Sequence, residues 1–150
     1  MDFTKEYIAG LLDGEGSFQI NAVGAGLTII PKITLTNSHE FVLKGLVEYI
    51  HQILGIYITF LKVKSKILYN ISIQGFRNCH PFLQWIIPSL KIKTEEAKIL
   101  LEFTETKSFE RNKRVDLYFK LREVRIGHKG IPPKWKTREE LLNAIRLGNL

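Results

Sequence analysis

The chain has 150 residues and a mass of 17.3 kDa, with 45% apolar and 25% charged residues, which suits one compact domain with a real core and argues against a chain that is disordered throughout. A single cysteine, Cys79, excludes an internal disulfide framework and any multi-cysteine zinc site, and fits a reducing compartment. The formal charge of +7 is concentrated: residues 1–110 carry 11 basic and 11 acidic side chains, residues 111–150 carry 11 and 4, so a polyanion is the expected partner, nucleic acid before anionic membrane.

No apolar run approaches the roughly 20 residues that span a bilayer, so no membrane partner is expected. The opening Met-Asp-Phe-Thr-Lys-Glu-Tyr has neither the basic-then-apolar layout of a secretory signal nor the bias of a transit peptide. The expected setting is intracellular: the cytoplasm or nucleoid of a prokaryote, or an organelle that encodes the protein.

In chain order, Thr4 to Leu12 reads as a Thr4-capped helix with Ile8, Leu11 and Leu12 on its apolar stripe, ending in Asp13-Gly14-Glu15-Gly16. Ser17–Val23 and Leu27–Thr36 are β-branched-rich runs around Gly24-Ala25-Gly26, a hairpin signal. A helix is predicted over about 40–54, closed by Gly55, then a second strand pair, Ile56–Val63 and Ile67–Gln74, around Lys64-Ser65-Lys66. Pro81 is expected in the first turn of a short helix that Pro88 stops, followed by a Thr94-capped helix. Another helix is predicted over about 111–126, a Pro/Lys loop over 127–136 and a final Thr137-capped helix. The order α-β-β-α-β-β-α plus C-terminal helices predicts an α+β domain with a four-stranded antiparallel sheet and helices on one face. The uncovered face of that sheet is a candidate nucleic-acid surface.

Ile8-Ala9-Gly10-Leu11-Leu12-Asp13-Gly14-Glu15-Gly16 joins two unusual features. Gly10 and Gly14 lie four apart beside Ala9, leaving part of a helix face almost without side chains, so a second helix can approach closely. The helix also ends in acids, although a helix C-terminus is already partly negative and carboxylates there are unfavourable by about 0.3–1 kcal/mol. A bound hard cation would reverse that penalty.

This string resembles, position by position, the LAGLIDADG motif of the homing endonucleases, with Gly14-Glu15 where the family name has Ala-Asp. The element order and the Leu90-Lys91-Ile92-Lys93 run before an alanine-containing helix are similar to the family as well, so the resemblance covers about residues 4–105. It implies one endonuclease domain over 1–150, with a core of about 4–107 and a basic helical extension of about 108–150. The family uses two motifs per functional unit and this chain has one, which implies a homodimer and a pseudo-palindromic target. The motif helices would then pair through Tyr7, Ala9, Gly10, Asp13 and Gly14. The resemblance further assigns metal binding to the Glu15 carboxylate and the Gly14 carbonyl, with Asp13 stabilising the helix end. Asn37 and Lys93 would assist at the scissile phosphate and its water. Mg2+ is the implied cofactor, with Mn2+ able to substitute and Ca2+ supporting binding without cleavage.

Base reading would fall to the sheet. Alternation from Glu15 groups Ser17, Gln19, Asn21 and Val23 on one face, with Thr28, Ile30, Lys32 and Thr34 on the next strand. Lys62, Lys64, Lys66, Asn70, Ser72 and Gln74 belong to the second hairpin. Amides and hydroxyls suit base edges and lysines suit phosphates; the basic tail, Arg111, Lys113, Arg114, Arg122, Arg125, Lys129, Lys134 and Lys136, would extend the phosphate footprint. The implied activity is metal-dependent hydrolysis of both strands of a long DNA site. The alternatives are an intron-RNA maturase, a cleavage-silent DNA-binding protein of the same fold, and a basic interaction module.

Overall fold

In the computed structural model, residues 2–23, 28–125 and 137–148 are described. Helix α1 (Lys5–Glu15) runs into β1 (Gly16–Val23), which pairs with β2 (Thr28–Asn37). After α2 (Glu40–Leu54) come β3 (Thr59–Lys62) and β4 (Tyr69–Gln74). α3 (Phe76–Ile86) passes through a 3-10 turn, Ile87–Ser89, towards α4 (Thr94–Thr104), α5 (Arg111–Val124) and α6 (Arg138–Gly148). The four strands form one antiparallel sheet in the order β1-β2-β4-β3. The fold class is thus the α+β arrangement that the sequence predicts.

One face of the sheet is apolar by strict alternation: Phe18, Ile20, Ile29, Ile33, Leu35, Ile71 and Ile73 are all buried. The helices cover it with Ile8, Leu12, Leu43, Leu46, Phe82, Leu83, Leu100 and Phe103. Val115 and Leu121 of α5 and Leu141 of α6 join the same core, so α5 and α6 pack as part of the body. Thr4 caps α1, its Oγ1 accepting from the Tyr7 N–H at 3.1 Å, and Thr137 caps α6 by accepting from Glu140 N–H.

Several boundaries differ from the sequence expectation, each for a physical reason. α1 does not stop at Leu12; it continues through Asp13-Gly14-Glu15 because the Asp13 carboxylate is satisfied elsewhere in the fold. α3 starts at Phe76, not at Pro81, and carries Pro81 inside it. That proline forgoes a bond to the Arg77 carbonyl, offset by burying Cys79, Phe82, Leu83 and Ile86 on one side. Gly75, in the cap position with φ 86, makes the reversal from β4 into α3. Thr94 is the first residue of α4 and not its cap: its hydroxyl donates back to the Leu90 carbonyl, and Lys93 occupies the cap position. The second hairpin is shorter than the apolar run, since Ile56 is buried before the strand begins and Ser65, at φ 67, turns the chain.

Candidate active site and nucleic-acid interface

The junction between α1 and β1 is gripped at three successive residues. Glu15, exposed at the tip of α1, accepts from Asn37 Nδ2 at Oε2, 2.6 Å away. Asn37 ends β2, and its Oδ1 at the same time accepts from the His39 N–H at 2.9 Å, leading into α2. The Gly16 carbonyl accepts from Lys93 Nζ. The Ser17 hydroxyl accepts from Arg125 Nη2 at 2.8 Å. Glu15, Asn37 and Lys93, assigned together only by resemblance, therefore meet at one place, although 78 residues separate the first from the last.

Asp13 makes that meeting possible. Its buried carboxylate accepts three backbone N–H bonds, from Lys91 at 2.8 Å, Ile92 at 3.1 Å and Lys93 at 2.9 Å. These donors sit just before α4, so an acid at the end of one helix closes the turn that starts another and seats Lys93 beside Gly16. Its oxygens are thereby turned inward, away from any ion at the tip.

Gly16 has no spare room: a Cβ there would lie 2.7–2.8 Å from Leu12 atoms, backbone among them. Gly10 and Gly14 are the opposite case, with nothing within 4 Å of an added Cβ. Together with Tyr7, 47% exposed, they line the outer face of α1 at helical spacing. Ala9 and Asp13, grouped with them in the sequence reading, are turned into the chain's own core and have almost no surface to offer a second copy.

The other face of the sheet is polar and already hydrogen-bonded. Asn21 Nδ2 donates to Gln19 Oε1 at 3.2 Å, and Gln19 Nε2 donates to Ser17 Oγ at 3.0 Å. Asn70 Nδ2 donates to Thr36 Oγ1, and the Ser72 hydroxyl donates to Asn70 Oδ1. Registers Lys32↔Gln74, Thr34↔Ser72 and Thr36↔Asn70 place the β2 and β4 sets side by side. Thr28, Ile30 and Lys32 stand on this face with them, alternating with buried Ile29 and Ile33. Ser72 is buried on the centre strand, flanked by Thr34 and Thr59 across the ladder, so its hydroxyl braces Asn70 and is not presented outward.

Lys62 corrects the sequence reading. It pairs with Tyr69, one step out of phase with Asn70, and so lies on the helical side of the sheet, where its charge and the hydrogen bond from Lys44 both lower the pKa of Glu40 in α2, the latter foremost. The β3 residues on the polar face are Thr59 and Leu61, opposite Ser72 and Asn70. Lys64 and Lys66 are exposed in the turn. The Val23 side chain and Lys129, Lys134 and Lys136 lie outside the described residues.

Three described residues that no motif singles out complete the surface. Thr36 and Thr59 needed the strand register to be found. Arg125 was legible only as one basic residue among many. Among the described residues no helix is long and apolar enough to cross a membrane, and no group of three or more His, Cys, Asp or Glu could hold a metal within one chain.

No protein-family model and no curated relative matches the sequence. Solved structures do. Two crystal structures of the homing endonuclease I-CvuI, one with an I-CreI target and Mg, one with its own target and Ca, align with TM-scores of 0.71 and 0.72 at 17% identity. They span 97% and 96% of this chain and 94% and 93% of those. An archaeal intron-encoded homing endonuclease complexed with DNA aligns at 0.70 and 19% identity, over 97% of this chain and 96% of that one. The LAGLIDADG meganuclease I-AabMI, bound to uncleaved DNA, aligns at 0.62 and 14% identity, over 95% of this chain but 56% of its own. The chain accordingly has the fold of the LAGLIDADG homing endonucleases.

Proposed function

We propose that the chain is a site-specific DNA endonuclease of homing type that dimerises through α1 and hydrolyses both strands of a pseudo-palindromic duplex with a divalent metal. The observation that carries this reading is the meeting of Glu15, Asn37 and Lys93 at the exposed tip of a helix whose outer face is glycine. The chain is read as one endonuclease domain, with α5 and α6 closing its core.

Dimerisation is supported by what the lone chain leaves unexplained. Each glycine inside a helix costs about 1 kcal/mol relative to alanine, and neither Gly10 nor Gly14 is required by any neighbour within the chain. A second α1 packed against them supplies the missing reason. Tyr7, Gly10 and Gly14 form that contact; Ala9 and Asp13 support it from beneath.

The donor chemistry also points to two copies. One chain offers the Glu15 carboxylate and the Gly14 carbonyl, which lies beyond the last intrahelical bond, Gly16 N–H to Leu12 C=O. All-oxygen donors suit Mg2+, Mn2+ or Ca2+, and a second copy doubles a set too small in one. Glu15 and Gly14 would hold such an ion, which when bound would supply Lewis-acid activation of water and charge neutralisation at the phosphate. Asn37 fixes the direction of the Glu15 carboxylate. Lys93, seated by Asp13, brings positive charge to the phosphate side of the junction. Gln19, Asn21, Lys32, Thr34, Asn70 and Gln74 face the groove, where amides and hydroxyls meet base edges.

The test starts from duplexes that the protein itself selects from a random library. With Mg2+ the parent protein is expected to cut both strands and Glu15→Gln to cut neither, while the variant still binds the same duplex in Ca2+. Binding without cutting by the parent favours the silent DNA-binding protein. Preference for structured RNA, with cleavage absent, favours the maturase.

A further inference from the structure

We infer that Arg125 belongs to the cleavage site, where its guanidinium binds the DNA phosphate next to the one positioned at Glu15. The inference rests on the endonuclease reading and extends it to the basic C-terminal part of the chain, which the motif does not reach.

Position singles Arg125 out among the basic residues of α5 and its end. Arg114 is committed to the body: it lies over the Phe76 ring at 4.5 Å and donates to Thr106 Oγ1 and the Thr106 carbonyl. Arg122 lies over Tyr118 and bonds its hydroxyl. Arg125, just past α5, reaches back across 108 residues of sequence to the Ser17 hydroxyl. Ser17 stands on the polar face, two residues beyond Glu15, which is about 6.6 Å along a strand. It also anchors the Gln19–Asn21 amide chain. The charge of Arg125 is thereby placed where the catalytic tip passes into the base-reading face.

Chemistry agrees with position. A guanidinium has five N–H donors in a rigid fork matched to phosphate, and the Ser17 bond uses one of them. Arg125 is half-buried, and burial lowers its pKa even though Glu96 of α4 acts in the opposite direction. The cation is thus partly stripped of water without full compensation, and a phosphate oxygen would supply what is missing. A hydroxyl as the visible partner suits this role, since it orients the fork without neutralising it.

The test compares Arg125→Met and Arg125→Lys with the parent on a duplex selected by the parent, in Ca2+ for binding and Mg2+ for single-turnover cutting. Thermal melting verifies that each variant is folded. Losing one phosphate contact in each of the two subunits should flatten the slope of log affinity against log salt by about 1.8, and lysine should restore it. In a duplex series with one neutral methylphosphonate at a time, the parent should weaken at the phosphate beside each cut, and Arg125→Met should be indifferent at that position alone. A folded methionine variant with the parent's salt slope and methylphosphonate profile overturns the inference and leaves Arg125 as a brace between α5 and β1. A parent protein that binds no duplex overturns the endonuclease reading and this inference with it.

Discussion

Replacing Asp13 with alanine tests whether this acid is structural. The side chain is 9% exposed and takes three backbone N–H bonds of 2.8–3.1 Å. Bonds to a charged acceptor contribute about 1.5–3 kcal/mol each, and donors left unsatisfied in a buried site cost about 1–3 kcal/mol. The three share one acceptor and do not add fully. Relief of the unfavourable charge at the α1 C-terminus returns about 0.3–1 kcal/mol. A net loss of about 3–5 kcal/mol is expected, a large part of the 5–15 kcal/mol typical of a domain. Urea unfolding followed by circular dichroism reads it as a lower midpoint at unchanged slope. Asp13→Asn should fall between, because one oxygen acceptor remains while its amide group faces N–H donors. A loss below about 1 kcal/mol for alanine would refute the reasoning, since water would then be replacing the carboxylate at no great expense.

Gly16→Ala should destabilise the chain by about 1–3 kcal/mol through its contact with Leu12, visible in the same unfolding assay. Gly10→Ala should do the reverse in the lone chain, adding about 1 kcal/mol of helix propensity, while weakening self-association measured by sedimentation. The Cys79 thiol is buried and pushed up from 9.0 to about 12, so alkylation at pH 8 should proceed only at the rate of unfolding. Because the folded value is the higher one, the associated stability is complete below about pH 9 and is lost as pH rises towards 12, which unfolding midpoints across that range will show. Lys62→Ala should leave base preference in a selected-site assay unchanged, since Lys62 is on the helical side, whereas Asn70→Ala should alter it.

Local signals carried most of the architecture. Alternation in 17–21 and 28–36 separates the buried face from the polar one residue by residue, because each strand has one apolar side and its phase runs on from Glu15. Phase was lost in the second hairpin, where Ile56, Ile58 and Phe60 share the parity of the lysines; only the ladder with β4 shows that Leu61, not Lys62, stands beside Asn70. Pro81 misled because its helix is held by tertiary burial, which a local rule does not see. At the site, resemblance marked Glu15, Asn37 and Lys93. It did not disclose how Asp13 works, because the donors it serves are backbone groups far along the chain, and backbone leaves no trace in residue type. Arg125 was marked only as one of the basic tail residues, for a similar reason: its partner is a serine, and nothing in 111–125 distinguishes one cation from the next.

The Asp13 carboxylate meets Lys93 across 80 positions of sequence, with the whole sheet intervening. A nascent or half-opened chain therefore holds its acid and its lysine apart, and ripening of the core is the event that brings them to one spot. Under the proposed function, competence to cut DNA would then arrive only with completed folding, a safeguard against stray scission by immature or damaged copies.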